Sequence, residues 1–229
     1  MENEKSVLRW GGLAGILAFI VWIFEMPLYG FVDPFTPEGL MRFTDVRAAL
    51  GMSTIFMMTI TILSVVLALA LYRALRGTNL AFALFGSVLG VIGYIVTSLG
   101  DASTFFAFAS ISDLYQAPAA TVETQATAVL LWQTTQGITN TFFFVGSLFM
   151  VMYFIVLGMA MLRAPAFGSR FGWVSIVLGM IGVMGVIASL FVTGETGMQV
   201  MGISVFINII FLPLFGWKVY RLSRATKKS

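Results

Sequence analysis

The chain has 229 residues, of which 59% are hydrophobic and only 10% charged, with a mean hydropathy of +0.97. That is far outside the usual range for a soluble domain and requires lipid as the solvent. The formal charge of +3 does not point to nucleic acid, because the basic residues sit at the ends of apolar runs rather than in one patch. With neither cysteine nor histidine, the sequence offers no disulfide, thiol nucleophile, iron–sulfur ligation or usual zinc or haem ligand, so no metal or cofactor is expected.

An apolar run of about 20 residues matches a hydrocarbon core of roughly 30 Å. The first such run, 10–32, is too long for a signal-peptide core and is followed by Tyr29, Phe31, Asp33 and Pro34 rather than a small-residue cleavage site. It is expected to stay attached. In the connection after it, Thr36, Pro37 and Glu38 read as a helix start, and a short interfacial helix is expected there. Further spans are read at 50–72, 80–100, 128–162, 171–193 and 199–220, giving a single domain over 1–229.

Lysine and arginine fix the orientation. Eleven of the 13 fall on one side of these spans; only Arg42 and Arg47 fall on the other, beside Asp33, Glu38, Asp45, Asp101, Asp113, Glu123 and Glu195. Positive segments beside helix ends are retained in the cytoplasm. The expected fold class is therefore all-α: a polytopic membrane bundle of six transmembrane helices, both termini cytoplasmic, in a bacterial inner membrane. The basic tail from Lys218 to Lys228 faces the anionic leaflet, and membrane lipids are its expected partners.

Between the second and third spans, Arg73 to Asn79 is a tight turn. Between the third and fourth, 101–127 mixes Phe105, Phe106, Phe108, Ile111 and Tyr115 with acids. Its first half either lies among the headgroups or prolongs the third helix, and Pro118 ends it. Small residues mark packing faces: Gly11 and Gly15 in the first helix, Gly86 and Gly90 in the third, and Gly172, Ser175, Gly179, Gly182 and Gly185 along the fifth, which is expected to be central.

At 100° per residue, polar side chains also align. Arg47, Thr54, Thr61 and Ser64 share a sector of the second helix. Tyr94, Thr97, Ser98 and Asp101 do so on the third, and Gln133, Gln136 and Asn140 on the fourth. Counted from the basic ends, Arg47, Asp101, Gln133, Gln136 and Asn140 come at or just beyond the outer boundary. Glu25, Tyr94 and Asn208 come several residues inside it. Glu25 shares its face with Gly11, Ala14 and Ala18 and is directed into the bundle, where Tyr94 and Asn208 are candidate hydrogen-bond donors to it. An ionisable residue at such a position is a functional-site hypothesis. Ordinary interhelical hydrogen bonding explains the same alignment equally well. Pro27 and Pro213, each near one of these polar residues, tend to kink their helices.

The opening Leu8-Arg9-Trp10-Gly11-Gly12-Leu13-Ala14-Gly15-Ile16-Leu17, the turn Leu71-Tyr72-Arg73-Ala74-Leu75-Arg76-Gly77-Thr78-Asn79 and the stretch Arg163-Ala164-Pro165-Ala166-Phe167 leading into Gly172 to Gly182 resemble an uncharacterised bacterial six-helix membrane family, domain of unknown function 4386. The resemblance implies a fold and brings no catalytic residues. The leading functional expectation is binding or transport of a small molecule, ion or lipid through an outward-facing polar cavity above Glu25, lined by Arg47, Tyr94, Asp101, Gln133, Gln136, Asn140 and Asn208. The alternative is a non-catalytic subunit packing against another membrane protein or a second copy. An intramembrane enzyme ranks third, because no nucleophile and base stand at diagnostic spacing.

Overall fold

The computed structural model describes residues 2–29, 37–192 and 195–225. Among them there are six α-helices and no strand: α1 Glu2–Tyr29, α2 Pro37–Leu75, α3 Leu80–Tyr115, α4 Val122–Leu162, α5 Ser169–Ala188 and α6 Glu195–Ala225. Each is long and apolar enough to cross a membrane. The exposed side chains include Ile55, Ile62 and Leu69 of α2 and Trp173, Met180 and Met184 of α5. Such faces suit lipid rather than water. The chain is a multi-pass membrane helix bundle.

Consecutive helices pack together and α1 closes the ring against α6. Glu4 of α1 bridges Arg73 and Arg76 at the end of α2, at 3.1 and 3.0 Å. Lys218 of α6 lies over the Phe167 ring of the α4–α5 turn. The start of α1, the end of α6 and both of these turns therefore share one end of the bundle, here the near end. In the second turn Gly168 takes φ 83°, in the left-handed region that disfavours other residues.

Glycines set the interhelical distances. A Cβ on Gly12 would lie 2.6 Å from the Tyr220 backbone nitrogen, and one on Gly93 would lie 2.9 Å from the Gly146 carbonyl. The expected stripe on α5 is buried against α4: a Cβ on Gly179 would meet the Val151 carbonyl at 2.9 Å, and one on Gly182 the Val151 side chain at 2.5 Å. The most buried helix, however, is α4, which packs on α3 and α5 and also touches α2 and α6 across the ring. The small face of α5 fits it against α4, while Met180, Met184 and Ile187 remain exposed on its other sides. In the middle of the core Phe154, Phe211 and Phe215 stack, with centroids 4.6 and 4.8 Å apart along the series.

At 39, 36 and 41 residues, α2, α3 and α4 exceed what one crossing needs: about 54–62 Å at the helical rise against roughly 30 Å of hydrocarbon. The excess lies at the far end, where these three helices enclose a second apolar cluster built on Leu40, Phe43, Phe108, Ile111 and Trp132. The Ser112 hydroxyl donates to the Leu40 carbonyl at 2.8 Å and ties the end of α3 to the start of α2.

The helix bounds correct two expectations, the interfacial helix and the end of the fifth helix, and decide the open alternative for 101–127 in favour of a prolonged third helix. No separate interfacial helix follows Pro37, because α2 runs unbroken from Pro37, with no proline before Leu75 to end it and with the second cluster to pack against; Thr36, the expected cap, lies outside the described residues. Most of 101–127 is helix, with α3 prolonged to Tyr115, and only 116–121, including Pro118, connects it to α4. Thr121 caps α4 by accepting from the Thr124 amide at 3.2 Å. The fifth helix stops at Ala188 rather than 193, where Ser189 turns its hydroxyl back to donate to the Val186 carbonyl. Pro27 and Pro213 both lie inside continuous helices.

Candidate functional site

Glu25 is directed inward by the helix that carries it. The α1 face formed by Gly11, Ala14 and Ala18 is buried, and a Cβ on Gly15 would lie 2.8 Å from Leu67 of α2 and 2.9 Å from the Leu212 carbonyl of α6. Two turns beyond Ala18 the same face presents Glu25, only 4% exposed. The Ser53 hydroxyl of α2 donates to Glu25 Oε1 at 2.7 Å. Asp101 of α3 approaches closely enough for the two carboxyls to act on each other electrostatically. Asp101 Oδ2 is buried and has no protein partner among the described residues.

One turn further along α3, the Thr104 hydroxyl donates to the Gly100 carbonyl at 2.8 Å and lies 2.8 Å from the Thr139 hydroxyl of α4. With the Thr104 proton committed to that carbonyl, Thr139 is the donor of the pair. Flanking Thr139 on α4 are Asn140 and Gln136. Asn140 Oδ1 is buried without a partner among the described residues, and so are both amide atoms of Gln136, a residue only 7% exposed. A buried polar atom left unpaired costs on the order of 1–3 kcal/mol, so such atoms are normally met by water or a ligand when the protein supplies nothing.

The other expected site residues lie elsewhere. Tyr94 and Asn208 do not reach Glu25. The Tyr94 hydroxyl donates to Asn208 Oδ1 at 2.7 Å, with Ser64 close by. Tyr94 is seven residues before Asp101 on α3, hence about 10 Å nearer the other end of the helix. Beside it, edge-on at 6.4 Å, is Tyr153, whose buried hydroxyl is unpaired among the described residues. Arg47 faces outward and pairs with Asp113 at 3.8 Å, both side chains more than half exposed. Gln133 is exposed. Three residues from Gln136 on α4, it stands 60° away around the helix and falls off the buried side.

Of the eight expected residues the structure thus gathers Glu25, Asp101, Gln136 and Asn140 at one level, pairs Tyr94 with Asn208 below them, and leaves Arg47 and Gln133 on the surface. Ser53, Thr104 and Thr139 join the cluster without having been singled out. No basic side chain among the described residues faces the two carboxyls. Among the described residues there is also no group of three acidic ligands close enough to hold a metal ion. The chain matches no family model, no curated protein and no solved structure.

Proposed function

We propose that this bundle binds, and in its membrane passes, a small polar ligand or ion at the cluster of Glu25, Asp101, Gln136 and Asn140. A cationic ligand fits best, because Asp101 lies within electrostatic reach of the buried Glu25 and Arg47 is paired with Asp113 on the surface. The observation that carries the reading is the set of four buried polar atoms, on Asp101, Gln136 and Asn140, that find no partner among the described residues. Elsewhere interhelical bonding satisfies Ser87 and Ser175 through carbonyls of neighbouring helices. Membership of the six-helix family named above, a bacterial inner-membrane location and cytoplasmic termini belong to the same reading. They rest on the motifs quoted and on the placement of the basic residues.

The absence of native cysteine makes the test direct. Single cysteines at Gln136 and Asn140 are expected to react with a cationic, membrane-impermeant thiol reagent faster than with an anionic one. Cysteines at Ser147 and Ser175, buried in helix contacts, should stay unreactive. If all four are equally inert in folded protein, the far end is dry and the binding reading fails. Orientation is checked by reporter fusions after Tyr220: a periplasm-only reporter active there would reverse the topology.

A further inference from the structure

The near end of the bundle carries a second constellation, independent of the carboxyl cluster. Around Gly12, α1 and α6 cross in backbone contact, a Cβ there meeting the Tyr220 nitrogen at 2.6 Å and the Gly216 carbonyl at 2.7 Å. Beyond this crossing the two helices border a cavity of about 760 Å³ lined by Lys5, Arg9 and Trp10 from α1 and Tyr220, Ser223 and Arg224 from α6. That volume is within the usual range for small-ligand sites.

The charges in this groove are unbalanced. Lys5 and Arg9 are four residues apart on α1 and so share a helix face, where like charges repel. Arg224 joins them from α6, its guanidinium 4.7 Å from the centre of the Tyr220 ring. No acid among the described residues lines the cavity. Glu4, next to Lys5 in sequence, is engaged on the other side by Arg73 and Arg76. Three cations are thus held around one space with nothing in the described protein to neutralise them, which is the arrangement that receives a phosphate group.

The surroundings decide which phosphate. Trp10, at the rim, is 65% exposed, as is usual for an aromatic anchor at the headgroup level. From the groove toward the membrane interior, Leu17 of α1 and Trp217 of α6 are exposed, an apolar track for acyl chains. We propose that the groove between α1 and α6 binds an anionic phospholipid, its phosphate held by Lys5, Arg9 and Arg224 and its chains lying along that track.

The test is native mass spectrometry of the full chain in detergent, titrated separately with phosphatidylglycerol, phosphatidylcholine and inorganic phosphate. Wild type should retain one phosphatidylglycerol more tightly than phosphatidylcholine. The double variant Arg9→Gln, Arg224→Gln should lose affinity by on the order of tenfold or more, as expected for two charge-assisted contacts. Arg170→Gln, which removes a charge at the same end outside the groove, should leave binding unchanged. Should the double variant fail to purify, Lys5→Gln alone carries the same expectation of weakened binding. Three results would overturn the proposal: groove variants that hold the lipid like wild type, an equal loss in Arg170→Gln, which would mean diffuse attraction to a basic rim, or binding of inorganic phosphate with no lipid retained.

Discussion

The two ends of the carboxyl-bearing interior treat polar groups in opposite ways. Toward the near end, two buried hydroxyls are silenced by the backbone of the next helix: Ser87 donates to the Ala68 carbonyl at 3.2 Å and Ser175 to the Phe154 carbonyl at 2.7 Å, although Arg73 Nε is buried there without a partner among the described residues. Small residues make this possible, because glycine, alanine and serine bring neighbouring backbones within reach of a short hydroxyl. Toward the far end the polar side chains are longer, and carboxyls and amides present several lone pairs and protons that one passing carbonyl cannot satisfy. Ser53 covers one oxygen of Glu25, while Asp101, Gln136 and Asn140 keep unpaired atoms. The lesson is that burial alone does not separate a structural polar group from a functional one. What separates them is whether the packing that buries the group also completes its hydrogen bonds. Tyr153 and Ser64, mid-bundle with hydroxyls unpaired among the described residues, stand between the two regimes.

The sharpest way to break the comparison is to disturb the packed end. Gly12→Leu places a side chain against two backbone atoms of α6, and backbone cannot rotate away as a side chain can. Its cost should reach or exceed the upper end of the roughly 1–3 kcal/mol typical of overpacking. Gly182→Leu meets the Val151 side chain instead and should cost less, though still lower the unfolding temperature in detergent. Gly137→Leu, with nothing within 4 Å of its Cβ, should be tolerated. Equal melting temperatures for all three would mean that the glycine contacts do not hold the helices together.

At the far end the expected effects are on selectivity rather than folding. Glu25→Gln keeps an acceptor for the Ser53 hydroxyl, so the bundle should melt as wild type. The preference of a cysteine at Asn140 for cationic over anionic reagent should fall by on the order of tenfold, one charge's worth at short range in a partly screened site. Unchanged selectivity would remove Glu25 from the site and leave it as a fixed brace beside Pro27.

Gln136→Leu separates the regimes from the other direction. It deletes two buried amide atoms that have no partner among the described residues. The fold should therefore be unharmed or gain about 1 kcal/mol, whereas cationic labelling at Asn140 should slow. A clear loss of stability would show that the Gln136 amide is bonded within the fold after all, and the far end would then be structural like the near one.

How much of this was legible in the sequence depended on whether a feature was local to one helix. The inward face of Glu25 was legible, because Gly11, Ala14 and Ala18 mark it at helical spacing. The small stripe of α5 was legible for the same reason, but its position in the ring was not, since a stripe names a contact without naming the partner. Ser53 was not singled out, because a single hydroxyl between Met52 and Thr54 has no pattern of its own. Tyr94 and Asn208 were placed at the depth of Glu25, but the relative shift of helices 114 positions apart in the chain decides whom they meet, and they meet each other. The continuity of α2 and α3 past the hydrocarbon depended on a second apolar cluster assembled from three helices. No one of those helices announces that cluster alone.

Arg47 gives the smallest expected effect and the finest test of where the site ends. Its sector of α2 also holds Ser64, which is buried, so periodicity alone assigns the arginine to the interior. Along the helix, however, Arg47 comes six residues beyond Ser53, on the stretch of α2 that projects past the shorter helices, and it pairs there with Asp113 of α3 at 3.8 Å in solvent-exposed surroundings. An exposed pair of this kind contributes about 0.2–1 kcal/mol at most and weakens with salt. Arg47→Ala should therefore shift the unfolding temperature barely measurably and leave the labelling of Asn140 and Gln136 cysteines as in the parent. A rise in cationic labelling at those positions in Arg47→Ala, abolished by high salt, would instead show that this arginine guards the entrance electrostatically and would extend the site outward by two turns.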